Sequence, residues 1–475
     1  MKLNEKPFYL SEKDIEWVKE TLASMSVEEK IGQLFCLTDM ITDEEQLKEM
    51  IRKYKPGGFM YRSGNALEIQ NAQRVMQETS RIPLLLSCNL ESGGNGVADS
   101  GTFFGRQLQV AATDEKEQAK RLGMICGWEG GATGCNWAFA PIVDIDFNWR
   151  NPITNVRTYG SDPERVLTMA DAYIDGIREA DPGMAACIKH FPGDGVDERD
   201  QHLLPTVNSL SVEKWESTYG RVYGKLIEKG VKTVMVGHIL QPEMTRKMCP
   251  GIKDEEILPA SVNRYLMTDL LRGQLGFEGL ITTDATPMVG FTGMMSRKEA
   301  LAKALMGGAD VLLFCKNIDE DYAGIREYLE KGRITMERID EAVMRQLALK
   351  ASLKLHEKQK NNTLVPEKEA LLVIGCKEHA DWAKECADKA ITLVNNQKLL
   401  PISPARTKRI RLTILGEEKS GAFGDGGTVG ELLKNALSKA GFTVSMYDYA
   451  TMERGEIFTA GIEEMKEKFD LSIVA

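Results

Sequence analysis

The sequence predicts an α/β fold: a (β/α)8 TIM-like barrel, then a linker, then a partial α/β sandwich domain. Three observations carry that prediction. Eight short apolar runs recur over about 350 residues, helical stretches separate them, and the pattern changes after residue 355. The runs fall at 34–37, 58–61, 83–88, 137–145, 185–188, 233–236, 279–282 and 309–314. Periodicity alone does not separate a buried strand from a piece of buried helix, so the assignment rests on the alternation of strand and helix.

The first helix is signalled by Ser26 and Glu29 in MSVEEKIGQLF, a capping box ahead of an apolar run. The last barrel helix is expected over 336–355. The stretch that follows, HEKQKNNTLVPEKEA, is polar and poor in core residues. This gives a catalytic barrel domain at 1–355, a linker at 356–384 and a C-terminal α/β domain at 385–475. In that second domain strands are expected at 391–394, 410–415, 442–446 and 471–474, and amphipathic helices at 429–440 and 461–469. The sequence stops inside the apolar run LSIVA, so this domain is expected to be truncated. The glycine-rich stretch 421–427 has neither G-K-[ST] nor G-x-G-x-x-G, and reads as a strand-to-helix loop rather than a phosphate cradle.

Composition narrows the function. With 475 residues, 43% hydrophobic and 27% charged, the chain can bury a large core. Its net charge of −10 and the lack of a long Lys/Arg block argue against nucleic acid or an anionic membrane as partner. The N-terminus, MKLNEKPFYLSEKD, has no secretory h-region, and no run of about 18 apolar residues could span a bilayer, so a cytoplasmic location is expected. Nine cysteines occur singly with no C-x-x-C, which reads as reduced core thiols rather than a zinc or disulfide set. No metal and no cofactor are expected.

The densest chemistry lies in KHFPGDGVDERDQH, residues 189–202, directly after the fifth apolar run. Function in such barrels sits on the loops that follow the strands. Asp200 and His202 are two apart, so the carboxylate can bind one imidazole nitrogen while the other faces a substrate as general acid and base. Pro192, Gly193 and Gly195 supply a turn that carries the loop over the barrel mouth. Lys189 and His190 end the strand and point at the same cavity. Asp284 in GLITTDATPMVG ends the seventh strand, where it is placed to act as a nucleophile; the structural alternative is a cap on the next helix. Arg157 in NVRTYG has a salt bridge to Asp162 as its structural alternative.

Taken together these segments resemble glycoside hydrolase family 3, and within it the β-N-acetylglucosaminidase branch of Asp-His dyad type. The likeness runs through MSVEEKIGQLF, FAPIVDID with NVRTYGSDPERV, KHFPGDGVDERDQH, MVGHI, ILPASVNRYLMTDLLRGQLGFEGLITTDA and EALAKALMGGADVLL, most of residues 25–315. ADKAITLVNNQKLLPI resembles the start of the family's C-terminal domain. The resemblance implies a retaining exo-β-glycosidase that releases terminal N-acetylglucosamine from muropeptide- or chitin-like oligosaccharides. Asp284 would form the covalent intermediate, with His202 and Asp200 as acid/base. Arg157, Lys189, His190, Asn89, Glu91 and His238 would bind the sugar. Two positions depart from the family: Asp194 stands where a histidine is frequent, and Asn89 where an aspartate is common.

Other readings stay open at the level of sequence. A β-glucosidase-like specificity keeps the same site, and a glycoside phosphorylase replaces water by phosphate, which a histidine acid/base repels less than a carboxylate would. A metal-dependent barrel hydrolase would use His190, Asp194, Asp200 and His202 as ligands, although the first strand lacks H-x-H. A non-catalytic carbohydrate-binding protein would explain the changes at Asp194 and Asn89 as lost turnover.

Overall fold

Eight parallel strands close a barrel in the computed structural model, which describes residues 1–415, 429–447 and 461–475. They are β1 (Phe35–Thr38), β2 (Gly58–Met60), β3 (Leu85–Cys88), β4 (Trp137–Ala138), β5 (Ala185–Phe191), β6 (Thr233–Val236), β7 (Leu280–Ala285) and β8 (Val311–Leu313). Ladders join each strand to the next, and β8 to β1. Each of the eight expected runs overlaps one of these strands. The interior is filled by side chains: Trp137 is fully buried and its Nε1 donates to Thr233 Oγ1 at 3.0 Å between β4 and β6, while Phe35, on the outer face, stacks on Tyr322 of the helix Ile318–Glu330.

The strands differ from expectation mainly at their C-terminal ends. β5 runs on through Lys189, His190 and Phe191, and β7 through Thr283, Asp284 and Ala285, because the ladder continues after the apolar run stops. β4 is shorter than its apolar run, since Pro141 has no N–H to give the ladder; only Ile142 pairs again, with Lys189. The expected capping box is present: Ser26 Oγ accepts from the Glu29 amide and Glu29 accepts from the Ser26 amide. The last barrel helix ends at Ser352, and a short helix, Leu355–Lys360, follows.

The expected linker at 356–384 is corrected by the structure. These residues form a strap packed on the barrel, and the compact first unit ends at Ile391. Arg74 donates to the carbonyls of Val365 and Pro366, and the helix Lys377–Ala390 buries His379 and Cys386. The strap packs in this way because scattered apolar residues, Val365, Ile374, Trp382 and Cys386 among them, join its backbone carbonyls in the contact.

The second unit begins at Thr392. It holds a parallel sheet of β9 (Arg409–Thr413), β10 (Thr443–Tyr447) and β11 (Leu471–Val474), with β9 in the middle, and helices Val429–Lys439 and Ile462–Lys468. The strand expected at 391–394 is absent; Ile391, Leu393 and Val394 are exposed without ladder partners. The glycine-rich stretch 421–427 lies outside the described residues. All nine cysteines are free thiols, six of them buried. Among the described residues no helix is long and apolar enough to cross a membrane.

Candidate active site

Five strand ends converge at one mouth of the barrel. Glu91 follows β3 and is nearly buried. Arg157 grips it bidentately, Nε to Oε2 at 3.1 Å and Nη2 to Oε1 at 2.8 Å, while Lys189 Nζ from β5 reaches Oε1 at 2.7 Å. Burial opposes ionisation of Glu91, but Arg157 and Lys189 more than offset it and hold the carboxyl well below the usual carboxylate range. The same pairing holds Arg157 firmly charged. Arg157 is therefore joined to Glu91 and not to Asp162, which instead caps the helix Pro163–Ala180.

His190 is set by Asp144, a residue given no role in the sequence reading. Its Nδ1 lies 2.7 Å from Asp144 Oδ2, and Asp144 Oδ1 accepts the amides of His190 at 3.1 Å and Asp194 at 2.8 Å. The Nδ1–H is thus directed at the carboxylate and Nε2 faces Asp284 Oδ2 across 3.7 Å, longer than a direct hydrogen bond. Asp284 accepts the Ala285 amide at 2.7 Å. Burial pushes its pKa up, yet His190, the Ala285 amide and Lys189 reverse that and keep it below its ordinary value. Asp284 does not cap the next helix, Val289–Thr292, which has no side-chain cap.

The dyad loop turns at Gly193 and Gly195, both at positive φ (117° and 105°). A Cβ at either would lie 2.2 Å from Tyr219 or from the Ile145 carbonyl. Beyond the turn, His202 Nδ1 lies 2.6 Å from Asp200 Oδ1, as the spacing predicts, and the imidazole is 41% exposed. Three bonds stitch this segment to the ends of β6 and β7. Gln201 Oε1 accepts the His238 amide at 2.9 Å, and the amides of Val289 and Gly290 donate to the carbonyls of His202 and Gln201. Gln201 carried no signal in the sequence beyond its place inside D-x-H.

Three predicted residues sit differently. His238 is fully buried with both ring nitrogens bonded to protein: Nδ1 accepts from Ser261 Oγ at 2.8 Å and Nε2 donates to the Ala285 carbonyl at 3.0 Å. Burial lowers its pKa, and the ring supports the end of β7 from behind. Asn89 is exposed at the rim, outside the charged cluster. Asp194 is buried beside Asp144; its Oδ1 accepts from Asn151 at 3.0 Å and from Gly195, and Oδ2 has no partner. Burial first, then the neighbouring Asp144, raise its pKa to about 7.

Among the described residues the one group with the spacing of a metal site is Asp14, His356 and Glu357, and Lys354 Nζ already occupies Asp14 at 2.8 Å. His190, Asp194, Asp200 and His202 form no such group, which corrects the metal-ligand alternative for these four.

Residues 26–349 match the family described as "Glycosyl hydrolase family 3 N terminal domain". The chain belongs to glycoside hydrolase family 3. It is 43% identical to a "Beta-N-acetylglucosaminidase/beta-glucosidase" of Cellulomonas fimi over 93% of this chain and 78% of that protein. It is 26% identical to "Beta-hexosaminidase A" of Pseudoalteromonas piscicida over 77% of this chain, and spans 64% of that relative's length. The solved structure "Beta-glucoside phosphorylase BglX bound to 2FGlc" superposes with a TM-score of 0.93 at 46% identity, covering 99% of this chain and 84% of that one. As a family 3 member, the chain is a glycosidase, and the charged cluster at the barrel mouth is the candidate for its sugar site.

Proposed function

We propose that this family 3 enzyme is a retaining exo-β-glycosidase that removes a terminal β-linked N-acetylglucosamine, and also accepts β-glucose. One observation carries the reading: a partly buried carboxyl, Asp284, is held below its ordinary pKa at the barrel mouth beside a loop that presents an Asp200–His202 pair. In the first step an Asp284 oxygen attacks the anomeric carbon from the face opposite the aglycone. The C1–O bond breaks, and protonated His202 gives its proton to the departing oxygen. In the second, neutral His202 takes a proton from water, the hydroxide oxygen bonds to C1, and Asp284 leaves as carboxylate. Two inversions return the β configuration. Asp200 holds the imidazole in register through Nδ1.

Arg157, Lys189, His190 and Glu91 are the groups proposed to hold the sugar hydroxyls, with Asn89 at the rim. The double name of the C. fimi relative supports a site that tolerates both the 2-acetamido and the 2-hydroxyl group. A second reading, phosphate as the acceptor, is favoured by the likeness to a β-glucoside phosphorylase and by an acid/base that is uncharged when it must deprotonate the acceptor.

A panel of nitrophenyl β-glycosides, with and without phosphate, tests both readings. Turnover of the N-acetylglucosamine and glucose members should fall by several orders of magnitude in Asp284→Ala. A xylose or galactose preference above about tenfold in kcat/KM, roughly 1.4 kcal/mol, would overturn the sugar assignment. A sugar 1-phosphate of retained configuration in the phosphate arm would establish the second reading, and its absence would reject it.

A further inference from the structure

We propose that the surface beside His202 is an aglycone site for apolar alkyl or aryl groups, an inference that rests on the double-displacement reading above. The general acid must touch the departing oxygen, so whatever that oxygen carries lies over the residues next to His202. Those residues are apolar and open: Leu203 is 67% exposed, Leu204 41%, Val289 48% and Met294 42%.

They belong to two touching segments. The Val289 amide donates to the His202 carbonyl at 3.0 Å, and a Cβ at Gly293 would sit 2.9 Å from the Val289 carbonyl and 3.9 Å from Pro205 Cδ. A single exposed leucine is ordinary, but four large apolar side chains on adjoining segments that flank the acid make a patch.

The mouth is thus divided by chemistry. Glu91, Arg157 and Lys189 offer charged partners to a sugar ring. The patch offers neither donor nor acceptor from its side chains, so a second sugar there would lose water from its hydroxyls without replacement. An alkyl or aryl group loses nothing of that kind and gains about two- to fourfold in binding per methylene buried. The substrates that fit are β-glycosides of apolar alcohols and phenols, in place of the chitin-like chains expected from sequence.

The test is kcat/KM for methyl, butyl and octyl β-glycosides, each made with glucose and with N-acetylglucosamine and kept below micellar concentrations. The three alcohols are nearly equal in acidity, so the series varies apolar length alone. On the preferred sugar, kcat/KM should rise at least about tenfold from methyl to octyl. That gradient should shrink to under about threefold in Leu203→Ser/Val289→Ser and persist in Leu372→Ser, a control at an 82% exposed side chain outside both segments.

A flat series, or a gradient untouched by the double substitution, overturns the apolar site and leaves the glycosidase reading standing. Failure to turn over any alkyl or nitrophenyl glycoside rejects that reading, and the aglycone site with it. Leu203→Ser and Val289→Ser are also measured singly, so a misfolded double variant does not remove the test.

Discussion

An imidazole 2.6 Å from a carboxylate has its orientation fixed, which is what distinguishes a proton donor from a passing surface histidine. His202→Ala should therefore lower kcat/KM about 10²- to 10⁴-fold for alkyl glycosides and far less for dinitrophenyl glycosides, whose departure needs little acid help. An unaltered leaving-group dependence would remove His202 from the general-acid role. The pair was legible because both members lie within three residues. Asp144, 46 residues before its partner His190, was not, since nothing in a linear pattern links a carboxylate in FAPIVDID to a histidine on another strand. Asp194 is the other residue that only the structure explains. Its folded pKa of about 7 exceeds the ordinary carboxyl value, so between pH 4 and 7 the folded chain binds the extra proton and stability falls as pH rises. Asp194→Asn removes that penalty. The melting temperature of the variant minus that of the parent should grow by a few °C, about 2–4, between pH 4.5 and 7.5, and a constant difference would show that Asp194 ionises without cost.

Strands were legible from their apolar runs, and Lys189, His190 and Asp284 were legible as strand ends because each directly follows such a run; the polarity there hid only how far the ladder continues, to Phe191 in β5 and Ala285 in β7. Burial likewise hides polarity in the last barrel helix, Met336–Ser352, where Lys350 is fully buried and its Nζ donates to Gln33 Oε1 at 2.6 Å. Burial lowers its pKa to about 7. Below that value the helix carries an interior charge. Between pH 7 and 10 the unfolded chain binds the proton that the folded chain does not, so this residue's contribution to stability improves as pH rises. Lys350→Met abolishes the dependence. The melting temperature of the variant relative to the parent should consequently decline by about 2–4 °C from pH 7 to pH 9.5, whichever protein is the more stable at pH 7. A difference that does not change over this range would mean that the amine stays protonated in the fold.

At the scale of the molecule, the barrel was readable from eight apolar runs because repetition averages out errors in any one of them. Its outer boundary was not. The segment 356–384 has the composition of a linker, yet it is held by buried polar contacts and by scattered apolar ones, Val365, Ile374 and Trp382 among them, that leave no periodic trace. Glu129, fully buried on the helix Lys116–Thr133, accepts from Thr102 N at 2.8 Å and Thr102 Oγ1 at 2.6 Å, and from the strap through Gly375 N at 3.1 Å and His379 Nδ1 at 2.6 Å. Thr102 lies on the same β3–helix connection as Glu91, so the strap and the sugar site share one carboxylate as their support. Removing the strap would leave that carboxylate buried with half its donors gone, a change costing on the order of 3–5 kcal/mol. A chain ending at Ile391 should keep the cooperative unfolding of the first unit. A chain ending at Leu353 should melt at least about 5 °C lower, and should expose amides 93–104 to hydrogen exchange, because Glu129 can no longer fix the loop from both sides. Equal melting temperatures and equal protection for the two chains would mean that the barrel is complete without the strap, and would return residues 356–384 to the status of a linker that merely lies on its surface.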